Sequence, residues 1–277
     1  MKVNFWYTGS LEQEHRHHTP SSVVKGLAGI GCEVAHMNPS QFSGEEMCDI
    51  NVIYGMRING KEIIDASLEK GIQSIVIDLG YINRAMRSNG YDGYWQVSLN
   101  GLNWLPKNAD DKRFKALGID YPKRNERDGY VLIAEQTPGD SSHGMDMQGL
   151  KAWTQKAVSM CEELGLKYKV RRHPMNKQGP QSSRPDCEIE EDIKGASCVY
   201  VHNSNVGNDA LLAGIPVVCD EKARYLPTYH NVVGHDLSAA LYPKDIEGYL
   251  NRLAYGQWTR GEIEDGSAFK YIIEQAQ

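Results

Sequence analysis

The stretch that decides the fold is VYVHNSNVGNDALLAGIPVV, residues 199–218. It begins with the apolar pattern of a buried strand, breaks at the small polar residues HNSN, and continues as a helix that ends at Gly-Ile-Pro. In open parallel α/β sheets, ligands bind beyond the carboxyl ends of the strands, where helix starts present N–H groups. Asn203, Ser204 and Asn205 are therefore candidate anion ligands, unless Ser204 or Asn205 only caps the helix.

Strand and helix patterns alternate on both sides of this stretch. In the first half, KVNFWYTG, CEVAHMN, CDINVIYGM and IQSIVIDLG predict strands, and TPSSVVKGLAGIG and GKEIIDASLEKG predict helices. In the second half, YVLIAEQ, LKYKVRRHP and SCVYVHNSN predict strands that alternate with helices, and the helix VGNDALLAG then leads into IPVVCDE. The Val/Ile-rich runs are typical of parallel sheets covered on both faces, so the sequence predicts two consecutive α/β halves.

A charged segment, DYPKRNERDG at residues 120–129, is the candidate linker between the halves. It predicts one domain over residues 1–125 and another over 126–277, and a length of 277 residues suits two domains. Residues 81–122 predict loop or small-sheet structure. The closing sequence GEIEDGSAFKYIIEQ predicts a helix that docks on one of the two domains.

Composition excludes several classes of protein. The net charge of −6 gives no general attraction to nucleic acid or anionic membrane, although a local basic groove around KVRRHP or PKRNER stays open. No apolar run approaches the roughly 20 residues that cross a bilayer. The first residues, MKVNFWYTGS, lack the pattern of a secretory signal, so we expect a cytoplasmic protein. The six cysteines form no C-x-x-C pair.

Two further loops are predicted at the same sheet edge. In RRHPMN, His173 precedes a proline and is held extended at the end of a strand, beside Arg171, where it can donate to an anion or serve a structural role. The loop EQTPGDSSHG at residues 135–144 matches neither the P-loop nor the G-x-G-x-x-G pattern. Its candidate ligands are Gln136, Gly139 and Ser141.

The motifs at 171–174 and 199–218 resemble the nucleotide-sugar half of GT-B glycosyltransferases, where a Ser/Thr-rich turn leads to a helix bearing EAL..G.PV. The likeness covers residues 168–221. It looks closest to the branch with capsule Kdo transferases and bacterial sialyltransferases, whose His-Pro and Ser-Ser motifs hold a CMP-sugar. It implies an α/β fold of two Rossmann-like domains whose parallel sheets face across a cleft, with the acceptor side in residues 1–125 and the nucleotide sugar in residues 126–277. In many such proteins the last helix crosses back to the first domain.

The resemblance also implies roles for single residues. His173 would contact the donor phosphate, and Ser204 and Asn205 would bind phosphate from the helix start. Asp209 stands where the family has a Glu that commonly holds the ribose. Because Asn205 replaces the second Ser of the motif, the nucleotide is left open between CMP and UDP. A nucleotide sugar would be the co-substrate, with no cofactor and no metal, since no D-x-D motif stands out.

Candidate catalytic carboxylates are Asp78, which ends a buried strand in IVIDLGYINR, and Asp140 in the loop TPGDSSHG. A transferase that inverts configuration needs such a base for the acceptor hydroxyl. Asp78 can alternatively cap the following turn. The histidines of EHRHH (His15, His17 and His18) lack H-E-x-x-H spacing and suit a solvated loop better than a metal site, and one of them is an alternative base. The aromatic stretch GYDGYWQVSLNGLNW can stack a sugar or base, or simply pack.

Other stretches, DLGYINR, VSLNGLNW, AEQTPGDSSHG and LAYGQWTRGEIEDG, more loosely resemble glycosyltransferase-like proteins encoded by tailed phages. The acceptor implied is a hydroxymethylated DNA base or a surface glycan. We therefore expect a metal-independent glycosyltransferase. The alternatives are a non-hydrolysing nucleotide-sugar epimerase, which acts without an acceptor, and a nucleotide-binding module that has lost catalysis.

Overall fold

The computed structural model describes residues 1–9, 19–122, 128–176, 187–220 and 225–276. The strands are β1 (Lys2–Trp6), β2 (Glu33–Met37), β3 (Ile50–Tyr54), β4 (Gln73–Leu79), β5 (Tyr94–Leu99), β6 (Tyr130–Ala134), β7 (Tyr168–Arg171), β8 (Ala196–Val201), β9 (Val217–Cys219) and β10 (Gln257–Thr259). The helices are α1 (Thr19–Gly29), α2 (Gly60–Glu69), α3 (Lys112–Ala116), α4 (Met147–Glu163), α5 (Ile189–Gly195), α6 (Val206–Leu212), α7 (Ile246–Tyr255), α8 (Arg260–Glu264) and α9 (Ser267–Gln275).

The chain divides into two compact units. The first unit contains Met1–Arg113 and Asn251–Gln277, and the second contains Phe114–Leu250. The divisions fall within α3 and α7. The closing elements β10, α8 and α9 therefore belong to the unit that holds the amino-terminal strands.

The first unit is built on a six-stranded sheet in the order β10-β5-β4-β3-β1-β2. The neighbouring strands β2, β1, β3 and β4 are parallel, as their Val/Ile-rich sequences predict. Side chains from this sheet pack with α1, α8 and α9 into one core. Its buried members include Val3, Phe5, Val52, Ile75, Leu27 and Phe269.

The loop or small-sheet structure predicted for residues 81–122 is partly wrong. β5 is a full strand of the main sheet and pairs antiparallel with β4, and β10 pairs antiparallel with β5. The chain returns from β4 to β5 without a crossover helix, and such a return produces an antiparallel pair. Gly80 makes the return possible, because a Cβ at this position would lie 2.5 Å from the Tyr94 carbonyl oxygen.

The single closing helix that the sequence predicts is also wrong in one respect. The segment forms two helices, α8 and α9, separated at Gly266, whose φ is 84°. Thr259 and Glu262 form a capping box at the start of α8. A left-handed glycine ends one helix and lets the next leave in a new direction.

The second unit holds a four-stranded sheet in the order β7-β6-β8-β9, and all its pairs are parallel. The helices α4, α5 and α6 connect these strands in chain order. One side of the sheet packs against α4. Buried members of this core are Val131, Ile133, Leu150, Trp153, Ala157, Tyr200 and Val218. Within the described part of the chain, no helix combines the length and the apolar character that crossing a membrane requires.

Gly26 sets the approach of α1 to α8. A Cβ on Gly26 would lie 1.9 Å from the Ile263 carbonyl oxygen, whereas a Cβ on Gly29, in the same helix, meets no atom of the described residues within 4 Å. We predict that Gly26→Ala lowers the free energy of unfolding by about 1–3 kcal/mol through overpacking. Gly29→Ala is the matched control and should be neutral or stabilising by up to about 1 kcal/mol. Urea denaturation measures both, and equal effects of the two substitutions would contradict the close approach.

Candidate functional site

Three loops singled out by the sequence follow neighbouring strands of the second sheet. β7, β6 and β8 lie side by side and run parallel. Their carboxyl ends are Ala134 in β6, Arg171 in β7 and Val201 in β8. The three loops therefore leave the sheet at one edge, which is the ligand-binding edge of open parallel α/β sheets.

A reciprocal amide pair joins the loop after β6 to the loop after β8. Gln136 Nε2 donates to Asn203 Oδ1 at 2.6 Å, and the Asn203 backbone N–H donates to Gln136 Oε1 at 3.1 Å. Both side chains are buried. Because a buried amide without partners costs free energy, this pair fixes the separation of the two loops.

The Asn203 side chain extends the connection in two directions. Its Nδ2 donates to the Ser142 carbonyl at 3.1 Å and to the Tyr225 carbonyl at 3.3 Å. Ser142 lies in the loop after β6, and Tyr225 lies in the segment that follows β9. Asn203 thus ties together three of the segments at this edge.

His173 joins the loop after β7 to the same group. Its Nδ1 lies 3.0 Å from the Thr137 hydroxyl and accepts the Met175 backbone N–H at 3.1 Å. A ring nitrogen that accepts a backbone N–H carries no proton, so the neutral imidazole has its proton on Nε2. His173 is therefore oriented as a hydrogen-bond donor through Nε2.

The tip of the loop after β6 is an exposed turn held by backbone contacts. The Gly139 N–H donates to the Met145 carbonyl at 2.7 Å, and Gly139 has a φ of 75°. Asp140 Oδ1 accepts the Ser142 N–H at 2.8 Å. Gly139, Asp140 and Ser141 are exposed on this tip. Asp140 thus has a local role in shaping the turn, whatever else it does.

The turn after β8 leads directly into α6. Ser204 Oγ accepts the Val206 N–H at 3.3 Å, and Asn205 is the N-cap residue, without a side-chain hydrogen bond to the helix backbone. Asp209 lies in the first turn of α6 and is partly exposed. Since α6 has only seven residues, its dipole is short, and oriented side chains matter more for binding here.

Arg171 lies apart from this group in a buried ion pair. Its Nη1 pairs with Asp192 Oδ2 on α5, and its Nη2 donates to the Cys187 carbonyl at 2.9 Å. Burial opposes ionisation of Asp192, but hydrogen bonds from Lys169 and Arg171 hold the pKa of this carboxyl below its usual value. The predicted donor ligand Arg171 is thus engaged in connecting β7 to α5.

Asp78 lies in the first unit, at the carboxyl end of β4. Its Oδ1 accepts the Leu79 N–H at 2.7 Å, and its side chain is partly exposed. The following turn is anchored by Gln257, whose Oε1 accepts the Tyr81 and Ile82 N–H groups, each at 2.8 Å. The carboxylate therefore sits on a rigid support, and it also makes the local turn contact that sequence analysis gave as its alternative.

Other expectations have different outcomes. His15, His17 and His18 lie outside the described residues, as does the middle of the predicted linker. Among the residues that are described, no three His, Cys, Asp or Glu side chains are grouped to hold a metal ion. In the aromatic stretch, Trp95 is only 3% exposed and belongs to the core of the first unit. Of the two roles expected for this stretch, Trp95 therefore has the packing role.

Sequence reasoning missed several residues that shape this edge. Thr137 carried a signal, because it directly follows Gln136 in the predicted loop. His143, His202 and Tyr229 carried none, since each is a buried or half-buried polar residue with a contact to a residue distant in sequence, His143 with His202 and Tyr229 with Ser204.

Neither a known protein family nor a curated protein matches this sequence. Solved structures match its fold. The beta Kdo 2,4 transferase of Thermosulfurimonas dismutans KpsC has a TM-score of 0.57 at 13% identity, covering 100% of this chain and 98% of that chain. The beta Kdo 2,7 transferase of the same KpsC has a TM-score of 0.58 at 12% identity, covering 98% of this chain and 100% of that chain. The predicted fold class, α/β with two Rossmann-like domains of the GT-B type, is confirmed.

Two histidines contact each other at this edge, His143 in the loop after β6 and His202 in the turn after β8. The rings of His143 and His202 are perpendicular, with centroids 6.0 Å apart, and Trp153 packs edge-on against His202. Burial lowers the pKa of both histidines from the ordinary value of 6.5. Asp220 opposes this shift at His202, and Asp140 opposes it at His143, but the desolvation effect is larger.

This pair predicts a loss of stability in mild acid. Since both folded-state pKa values lie below 6.5, the unfolded chain binds protons that the folded chain does not as the pH falls through 6.5. Their contribution to the free energy of unfolding is complete above that pH and decreases below it. We expect His202→Asn to lose less stability than the parent between about pH 7.5 and about pH 5.5.

Urea denaturation at the two pH values checks this expectation. His36→Asn, at an exposed histidine of the first unit, is the matched substitution outside the buried pair. An identical pH dependence in the parent and His202→Asn would show that the buried pair does not titrate in this range.

Proposed function

We propose that this chain is a glycosyltransferase that binds a nucleotide-sugar donor at the carboxyl edge of β6, β7 and β8. The observation that carries the proposal is that hydrogen bonds connect the loops after these three strands at one edge of the sheet. Gln136 and Asn203 bond to each other, and His173 bonds to Thr137. The fold shared with two Kdo transferases supports the class of reaction.

The proposed donor site provides neutral hydrogen-bond donors for a phosphate. His173 presents Nε2–H, Ser204 presents a hydroxyl group, and Asn205 presents an amide. Such donors stabilise the charge that develops on a departing nucleotide phosphate without having to reorganise. Gln136 and Asn203 are occupied with each other and hold the loops that carry these groups.

Asp209 is the proposed ribose ligand, because a carboxylate in the first turn of α6 can accept hydrogen bonds from sugar hydroxyl groups. The exposed residues Gly139 and Ser141 would approach the donor from the loop after β6. CMP and UDP are the nucleotides to compare. The reaction assigned to the site needs no metal ion, and addition of a chelator to the assay tests this point.

The proposed acceptor is a glycan hydroxyl. A net charge of −6 provides no general attraction for polyanionic DNA, which disfavours the alternative of a hydroxymethylated DNA base. Asp78 is the proposed base, because its carboxylate ends a buried strand on a rigid turn.

A panel of CMP- and UDP-sugars, each with and without a glycan acceptor or hydroxymethylated DNA, tests the reaction class. Nucleotide release that requires an acceptor supports the transferase, and the mass of the product names the sugar. Conversion of the donor without an acceptor would identify an epimerase instead. Tight binding without turnover would identify a binding module.

We predict that His173→Ala weakens binding of the nucleotide by about 10- to 100-fold, the value of a hydrogen bond to a charged group. Calorimetric titration with CMP and with UDP measures the change. His36→Ala, at an exposed histidine of the first unit, serves as the control and should bind as the parent does. Equal affinity of His173→Ala and the parent would remove the phosphate role of His173.

We also predict that Asp78→Asn lowers kcat by about 100-fold or more and leaves nucleotide affinity unchanged, because the amide cannot accept the acceptor's proton. Asp140→Asn is the matched control, since its amide oxygen can still accept the Ser142 N–H. Steady-state kinetics with the active donor measures kcat for Asp78→Asn and for Asp140→Asn. If Asp140→Asn is the variant that loses turnover, Asp140 is the base instead.

A further inference from the structure

The turn formed by Ser204 and Asn205 rests on a set of buried polar side chains that no sequence motif indicates. Asn208, Tyr229 and Tyr249 are each only 1% exposed. All three contact the turn or one another through hydrogen bonds. Buried polar side chains that are fully paired fix geometry, because any displacement leaves a desolvated group without its partner.

Tyr229 holds the backbone of the turn. Its hydroxyl donates to the Ser204 carbonyl at 2.5 Å. Its ring lies directly against Gly207, where an added Cβ would be 2.3 Å from the Tyr229 Cζ atom. Tyr229 therefore packs against the first turn of α6 and fixes the position of the Ser204 backbone relative to that turn.

Asn208 holds the side chain of Asn205. Its Nδ2 donates to Asn205 Oδ1 at 2.8 Å and to Thr228 Oγ1 at 3.2 Å. The Tyr249 hydroxyl donates to Asn208 Oδ1 and lies 2.7 Å from Thr228 Oγ1. These bonds close a ring among Asn208, Thr228 and Tyr249. The ring fixes the position of the Asn208 amide, and hence the position of the Asn205 side chain that bonds to it.

We propose that Asn208, Tyr229 and Tyr249 are positioning residues that fix Ser204 and Asn205 for an oxyanion ligand. Asn208 holds the Asn205 side chain, and Tyr229 holds the Ser204 backbone. The two residues therefore take defined positions at the start of α6, and the Ser204 hydroxyl can donate to a phosphate oxygen. This inference rests on the proposed function, because it names what orients that donor site.

Tyrosine-to-phenylalanine substitutions test the proposal, with a matched control at a tyrosine that bonds to the other end of α6. Tyr229→Phe and Tyr249→Phe each remove one hydroxyl and keep the ring. Tyr242→Phe does the same at the far end of α6, where the Tyr242 hydroxyl donates to the Leu211 carbonyl at 2.7 Å. We expect the first two variants to bind nucleotide about 3- to 10-fold more weakly than the parent. Tyr242→Phe should bind as the parent does.

The measurement is calorimetric titration with CMP and with UDP, well below the unfolding temperature of each variant. A double-mutant cycle with Asn205→Ala separates positioning from general loss of structure. If Tyr249 acts through Asn208 on Asn205, Tyr249→Phe should have no further effect on affinity once the Asn205 side chain is gone. A purely structural role would weaken binding equally in both backgrounds.

The outcomes separate this inference from the function on which it rests. If the parent binds neither nucleotide, the proposed function fails and the inference fails with it. If the parent binds but Tyr229→Phe and Tyr249→Phe match it, only the inference is overturned. The inference alone is also overturned if Tyr242→Phe loses as much affinity for nucleotide as Tyr229→Phe and Tyr249→Phe do.

Discussion

The geometry of the candidate site depends on the reciprocal hydrogen bonds between Gln136 and Asn203. Parallel strands place the loops after β6 and β8 at the same edge, but strand pairing alone does not determine how those loops lie beyond the sheet. Two buried amides that satisfy each other do so, because separating them leaves desolvated donors and acceptors unpaired. The remaining amide protons of Asn203 extend the constraint to Ser142 and to the segment after β9.

A second constraint acts on the turn before α6. The amide pair fixes the loops relative to one another, whereas the buried side chains of Tyr229 and Asn208 fix this turn against the interior of the second unit. Both arrangements use buried neutral polar groups that have partners. Arg171 shows a different use of burial: its ion pair with Asp192 joins β7 to α5 and keeps a cation out of the loops. Removing one partner of such a pair is strongly destabilising, so its position serves the fold first.

The sequence allowed the prediction of every strand of the parallel sheets except β9, because apolar runs between glycine turns have few other structures. β9 has only three residues, Val217–Cys219, and so short an apolar run does not distinguish a strand from a loop. It did not allow the prediction that β5 and β10 join the first sheet antiparallel, since their pairing depends on contacts between residues 94–96 and 257–259. The break at Gly266 was visible only as a glycine within a helical pattern. At the site, the motif around Ser204 was readable, but the sequence did not show that Arg171 forms a buried ion pair whereas His173 contacts Thr137. The partner that decides this for Arg171, Asp192, lies on a helix that follows.

The distribution of charge in the second unit explains why the orientation of the hydrogen-bond donors is important at the candidate site. Three cations of the second unit, Lys156, Lys169 and Arg171, are each paired with a carboxylate, namely Asp220 for the first and Asp192 for the other two. Attraction between charges depends weakly on direction, whereas a hydrogen bond from a neutral donor weakens steeply as its angle departs from linear. A site that relies on His173, Ser204 and Asn205 must therefore hold each donor at a defined angle. The contacts of Thr137 and Met175 with His173, and of Asn208 with Asn205, meet this requirement.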